Sequence, residues 1–117
     1  MAPNKFIGIL FQSRDAMHLA HLNTTSYAEH KALNEYYDGI VEKTDQFAEA
    51  YMGKYGKFTA FPSVYHQPKD PVKYLESLQK FVADARQDLP QDTELQNLID
   101  EIADLINTTT YKLKFLK

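Results

Sequence analysis

The chain has 117 residues, a formal net charge of −3 and no cysteine. That length suits one domain with one core and leaves no room for separate catalytic and regulatory units. The missing cysteines exclude disulfides, thiol nucleophiles and cysteine-ligated zinc, and suit a reducing cytoplasmic compartment. Net acidity argues against a nucleic-acid partner, because phosphate contacts need clustered lysine and arginine. The one basic cluster, Lys112, Lys114 and Lys117, suits instead the C-terminal end of a helix.

Helix signals dominate in chain order, and the expected class is all-α. A first helix spans residues 5 to 22, with Ile7, Leu10, Phe11, Met17 and Leu22 at helical spacing. Its opening KFIGILF is too short to cross a bilayer, and Gln12, Ser13, Arg14 and Asp15 follow at once, so neither a membrane span nor a signal peptide is expected. Asn23, Thr24 and Thr25 break the pattern, and Ser26 with Glu29 fits a capping box opening a second helix over 26 to 52. Leu33, Tyr37, Val41, Ala48 and Met52 form its apolar stripe, widened by Tyr36, Ile40, Phe47 and Tyr51, and Gly53 is the expected stop.

Residues 53 to 70 carry Gly53, Gly56, Pro62 and Pro68 with Tyr55, Phe58, Phe61 and Tyr65 interleaved. So long a link without its own element is expected to be a crossover, which lets the second and third helices run parallel in a four-helix bundle. Asp70 and Pro71 cap and open a third helix over 71 to 88, with Leu75, Leu78, Val82 and Ala85 inward. After a tight turn at Pro90 and Gln91, Asp92 or Thr93 caps a fourth helix over 92 to 115, carrying Leu95, Leu98, Ile99, Ile102, Ile106, Leu113 and Leu116. The β-branched run Thr108, Thr109 and Thr110 is expected to weaken it.

Four residues of metal-ligand type stand out: His18, His30, Asp45 and Glu49, with His21 and Asn34 as further candidates. His30 and Asp45 are fifteen residues apart, so on a straight helix they lie roughly 22 Å apart. One chain therefore cannot bring them to one ion. Either a second copy supplies the carboxylates to these histidines, or the acidic pair belongs to a solvated face with Asp38 and Glu42.

The stretch HLAHLNTTSYAEHKALNEYYDGIVEKTDQFAEAYMGKYG resembles the first two helices of ferritin-like proteins, specifically the Dps group of bacterial iron-storage proteins. It is also similar to short ferritin-like proteins of bacteria and tailed phages. The match is a histidine late in the first helix (His18), another twelve on (His30), an aspartate fifteen further (Asp45) and a glutamate four beyond (Glu49). The resemblance implies a homodimer or larger homo-oligomer, a site between subunits, and iron (or zinc) as the metal, in the cytoplasm of a bacterial or phage-infected cell. Departures from the pattern are Asn34 where a carboxylate is expected, no tryptophan after the first-helix histidine, no family motif in the second half and no basic N-terminal extension.

Three functions of different class follow. The first is a ferritin-like metalloprotein that binds iron and oxidises it with oxygen or peroxide at an inter-subunit site. The second is a non-catalytic bundle that holds a small anionic ligand or a host protein through Arg14, His18, Tyr37, Tyr55 or Tyr65. The third is a structural oligomer with no site. No Ser-His-Asp set, no Gly-rich phosphate loop and no Glu-x-x-His motif is encoded.

Overall fold

A computed structural model describes residues 2 to 61 and 68 to 116; Tyr65, Pro62 and Lys117, singled out above, lie outside them. The described residues form four helices: α1 Pro3–Asn23, α2 Tyr27–Tyr55, α3 Pro71–Asp88 and α4 Thr93–Phe115. Each boundary has a local cause. Pro3 sits in the first turn of α1, where its missing N–H costs nothing. Asp70 caps α3 by accepting from the backbone N–H groups of Val72 and Lys73.

Three expectations are corrected. The capping box at α2 is half built: Ser26 Oγ accepts from the Glu29 N–H at 3.2 Å, but the Ser26 N–H donates to Thr24 Oγ1 instead of to Glu29. Gly53 does not end α2, which continues to Gly56, whose φ of 98° is the left-handed cap that favours glycine. Lys54 and Tyr55 in that extra turn both bond Asp92, which offsets the cost of a glycine in the helix. Helix α4 runs unbroken through the threonines; Thr109 and Thr110 are buried, and each Oγ1 is satisfied by donating to the carbonyl four residues back, at 2.8 and 2.7 Å.

Cross-helix contacts set the topology. Phe6 packs on Phe47 and His21 on His30, so α1 and α2 are antiparallel. Lys112 pairs with Glu35 and Lys43 with Glu101, so α2 and α4 are antiparallel. Lys114 pairs with Glu76 and Gln79 bonds Asn107, which makes α3 and α4 antiparallel too. Helices α2 and α3 therefore run parallel, as expected. The connection begins at one end, where Asn4 Nδ2 donates to the Ala60 carbonyl, and finishes at the other, where Pro68 and Lys69 lie beside Thr24 and Glu29.

The core holds Phe6, Ile7, Leu10, Met17, Leu33, Ile40, Phe47, Leu75, Ile99 and Ile102, all fully buried. Two expected core positions are instead exposed, Leu22 and Leu116: Leu22 shares the outward face of α1 with Asp15, His18 and Leu19, and Leu116 follows the last residue of α4. One polar pair is buried with the apolar residues. Ser13 Oγ donates its only proton to the Leu10 carbonyl, so the Tyr36 hydroxyl is the donor in the 2.7 Å bond between them.

Candidate functional site

The chemistry-bearing residues gather on the face shared by α1 and α2. His18 stacks on Tyr37, with ring centroids 4.1 Å apart and planes at 15°. Arg14 lies one turn before His18, and its guanidinium sits 5.6 Å from the centroid of the same Tyr37 ring. Tyr37 is held by its hydroxyl, which donates to Asn34 Oδ1 at 2.6 Å, while Asn34 Nδ2 donates to Asp38. The His21 ring meets Tyr37 edge-on at 5.4 Å.

His21 and His30 close the corner between the two helices. His21 Nδ1 bonds the His30 carbonyl at 2.6 Å, and His30 Nδ1 bonds the His21 carbonyl at 2.9 Å. A carbonyl only accepts, so each Nδ1 carries the proton and each neutral ring keeps its lone pair at Nε2. The His21 carbonyl is one of the last four of α1, which no intrahelical N–H can satisfy, so His30 also serves as a C-terminal cap. The two rings stack at 3.5 Å with planes 21° apart.

That geometry limits what the histidines can ligate. An imidazole binds a metal in its own plane at about 2.0–2.1 Å, and two near-parallel planes do not meet at one ion. Asp45 and Glu49 are exposed further along α2. Among the described residues no group of three or more histidines and carboxylates is placed to hold a metal ion. The described residues of one chain therefore do not by themselves assemble an iron-oxidation centre. The other candidate set is also divided: Arg14 and Tyr37 meet, whereas Tyr55 lies at the opposite end of the bundle, bonded to Asp92.

The face has polar groups largely satisfied within the chain, since Arg14 pairs with Asp15 and Glu35 with Lys112. Two shallow recesses flank it. One, of about 410 Å³, is lined by Arg14, Asp15, His18, Leu19 and Leu22; the other, of about 370 Å³, by His21, Tyr27, His30, Lys31, Asn34 and Glu35. The reading from sequence gave no weight to Leu19 or Lys31. Histidines nine apart across the Asn-Thr-Thr break were the available signal for the corner pair.

Fold and face together define a small all-helical bundle with an imidazole and aromatic surface between α1 and α2. The chain belongs to a family of unknown function (DUF5856), whose profile matches residues 21–113. It is also similar to the "Uncharacterized 14.6 kDa protein in mobD-ri intergenic region" of Enterobacteria phage T4, at 28% identity over 112 residues, 94% of this chain and 86% of the phage protein. No solved structure matches. The expected kinship with small phage proteins agrees with the T4 similarity, whereas neither match carries the ferritin-like resemblance. No helix of the described residues is long and apolar enough to cross a membrane.

Proposed function

We propose that this protein is a non-enzymatic, phage-type bundle that binds a protein partner through the lateral α1–α2 face. The observation that carries the reading is the pair Arg14 and His18, laid over the buried Tyr37 ring and presented beside the exposed Leu19. Rigid aromatic and arginine anchors are what protein interfaces concentrate, because little side-chain entropy is lost when they are covered. A small anion is the weaker reading, since Arg14 is engaged by Asp15 and the flanking recesses do not enclose a ligand.

A photo-crosslinking side chain at position 19, compared with one at position 97 on the outward face of α4, tests this in the producing bacterium. Discrete protein adducts are expected from position 19 alone, and should vanish in His18→Ala/Tyr37→Ala with helicity retained. Equal labelling from both positions, or none from either, overturns the reading.

One observation keeps a second reading alive. The Nδ1 bonds of His21 and His30 leave both Nε2 lone pairs free, as in metal-ligating histidines oriented by a backbone carbonyl. In this reading iron or zinc is held between two copies, with His18 and His30 of one facing Asp45 and Glu49 of the other. Stoichiometric metal in the purified protein, lost in His30→Ala and Glu49→Ala, would establish it.

A further inference from the structure

Residues far apart in sequence meet at one end of the bundle, where α1 and α4 finish and α2 and α3 begin. The ion pairs Lys112–Glu35 and Lys114–Glu76 tie the end of α4 to the starts of α2 and α3. Pro68 and Lys69 lie beside Ala20, Asn23 and Glu29, which places the end of α1 there too. Among the described residues, six of the eight exposed large hydrophobic residues are at this end: Leu19, Leu22, Tyr27, Tyr111, Phe115 and Leu116. Tyr27 is 76% exposed, and Leu22 and Phe115 66% each.

Charge follows the same polarity. Around this end stand Lys31, Lys69, Lys73, Lys112 and Lys114 against Glu29, Glu35, Asp70 and Glu76. Glu35 and Glu76 engage Lys112 and Lys114, and Asp70 caps α3, which leaves Lys31, Lys69 and Lys73 to set the charge of the rim against Glu29. The opposite end carries Glu49, Asp84, Asp88, Asp92 and Glu94 against Lys5, Lys54, Lys57 and Arg86. A protein of net charge −3 thus presents its apolar tip at the less acidic of its two ends, beside Lys31, Lys69 and Lys73.

We propose that this end docks on an anionic lipid surface, with Leu22, Tyr27, Phe115 and Leu116 entering the headgroup layer and the lysines meeting lipid phosphates. The apolar side chains sit on three helix ends, Leu22 on α1, Tyr27 on α2, and Phe115 with Leu116 at the end of α4, and α1 and α4 lie diagonally across a bundle of extents 43 × 26 × 21 Å. A bound peptide would need a groove joining the two, whereas a flat surface touches both at once. Tyrosine is also a side chain that settles at a membrane interface, its ring in the apolar layer and its hydroxyl in water. The proposal uses residues other than the lateral stack, so either can fail without the other.

Co-sedimentation at low salt with vesicles of mixed phosphatidylglycerol and phosphatidylcholine, or phosphatidylcholine alone, tests it. Wild type is expected to pellet with the mixed vesicles only. Lys69→Glu/Lys73→Glu should lower partitioning by on the order of tenfold or more, as should added salt. Leu22→Asp and Phe115→Asp should each weaken binding with unchanged helicity, while Lys57→Glu at the opposite end should leave it intact. Failure of wild type to pellet with mixed vesicles overturns the proposal. So does an equal loss in Lys57→Glu, or retention on immobilised polyglutamate undiminished by Leu22→Asp, which would point to an acidic protein surface instead.

Discussion

His21 and His30 hold each other across the α1–α2 turn, each donating Nδ1–H to the other's carbonyl while their rings stack at 3.5 Å. The pair joins the last turn of one helix to the first turn of the next without using any residue of the intervening turn. Because each ring supports the other's position, the two should not act independently. His21→Ala and His30→Ala are each expected to cost about 1–2 kcal/mol, with a coupling of about 0.5 kcal/mol or more in a double-mutant cycle. Urea unfolding followed by circular dichroism at neutral pH gives all four corners. Strict additivity would mean that the stack is incidental.

The buried pair Tyr36 and Ser13 gives a second cycle with a pH signature. Ser13→Ala leaves the Tyr36 hydroxyl without its acceptor inside the core, a loss of about 1–3 kcal/mol. Adding Tyr36→Phe removes the stranded group, so the double variant should cost less than the two singles summed. Burial raises the Tyr36 phenol well above its ordinary value. A raised folded value means that the stabilisation is complete below about pH 10, where the unfolded phenol is protonated, and falls as pH rises further. Alkaline absorbance titration should show Tyr36 ionising only as the helices unfold, and Tyr36→Phe should flatten the alkaline decline in stability.

How much of this could be read from the sequence depends on what each feature requires. Periodicity places the four helices because each buries one stripe, and Asp70 with Pro71 marks the start of α3 by local backbone chemistry alone. The crossover follows from the glycines and prolines of 53 to 70. Gly53 misleads because its neighbours Lys54 and Tyr55 are held by Asp92, thirty-seven residues beyond Tyr55. Leu22 misleads because it falls on the outward side of α1 with Asp15, His18 and Leu19, although α2 reaches the last turn at His21. In the candidate site, the individual histidines were legible, but their pairing depends on how residues 23 to 26 turn the chain. Asp45 and Glu49 matched a spacing, and spacing along one helix cannot show what faces it.

Asp92 occupies the N-cap position of α4, yet its carboxylate makes no bond to the helix backbone. It accepts instead from the Tyr55 hydroxyl at 2.5 Å and from Lys54 Nζ at 2.9 Å, fastening the end of α2 to the start of α4. The Tyr55 bond and the Lys54 charge hold the Asp92 carboxyl below its usual range, and the bond to Asp92 raises both Tyr55 and Lys54. A lowered acid stabilises above its unfolded value and loses that contribution as pH falls through the acidic range. The raised phenol and ammonium lose theirs as pH climbs through the alkaline range. The melting temperature of Asp92→Ala should therefore lie below that of wild type near neutral pH, with the gap closing in acid and in alkali. A gap constant with pH would show that the clasp contributes no charge-dependent stability.

Metal removal discriminates most directly between the two readings of the lateral face. Stacked planes deny His21 and His30 a shared ion, and Asn34 is already committed to Tyr37 and Asp38, so it offers no spare donor between them. His18 lies flat against Tyr37 with its ring 6.0 Å from that of His21. Among the described residues a monomer thus offers single imidazole donors, each of which binds divalent iron or zinc weakly without further ligands. Protein from iron-supplemented cells is expected to carry far less than one iron or zinc per chain. Chelation should leave both the melting temperature and the solution mass unchanged, since no ion then contributes to folding or assembly. A melting temperature that drops on chelation in wild type but not in His30→Ala would mean that a second copy completes a coordination sphere. The partner-binding reading would then give way to the metal-binding one.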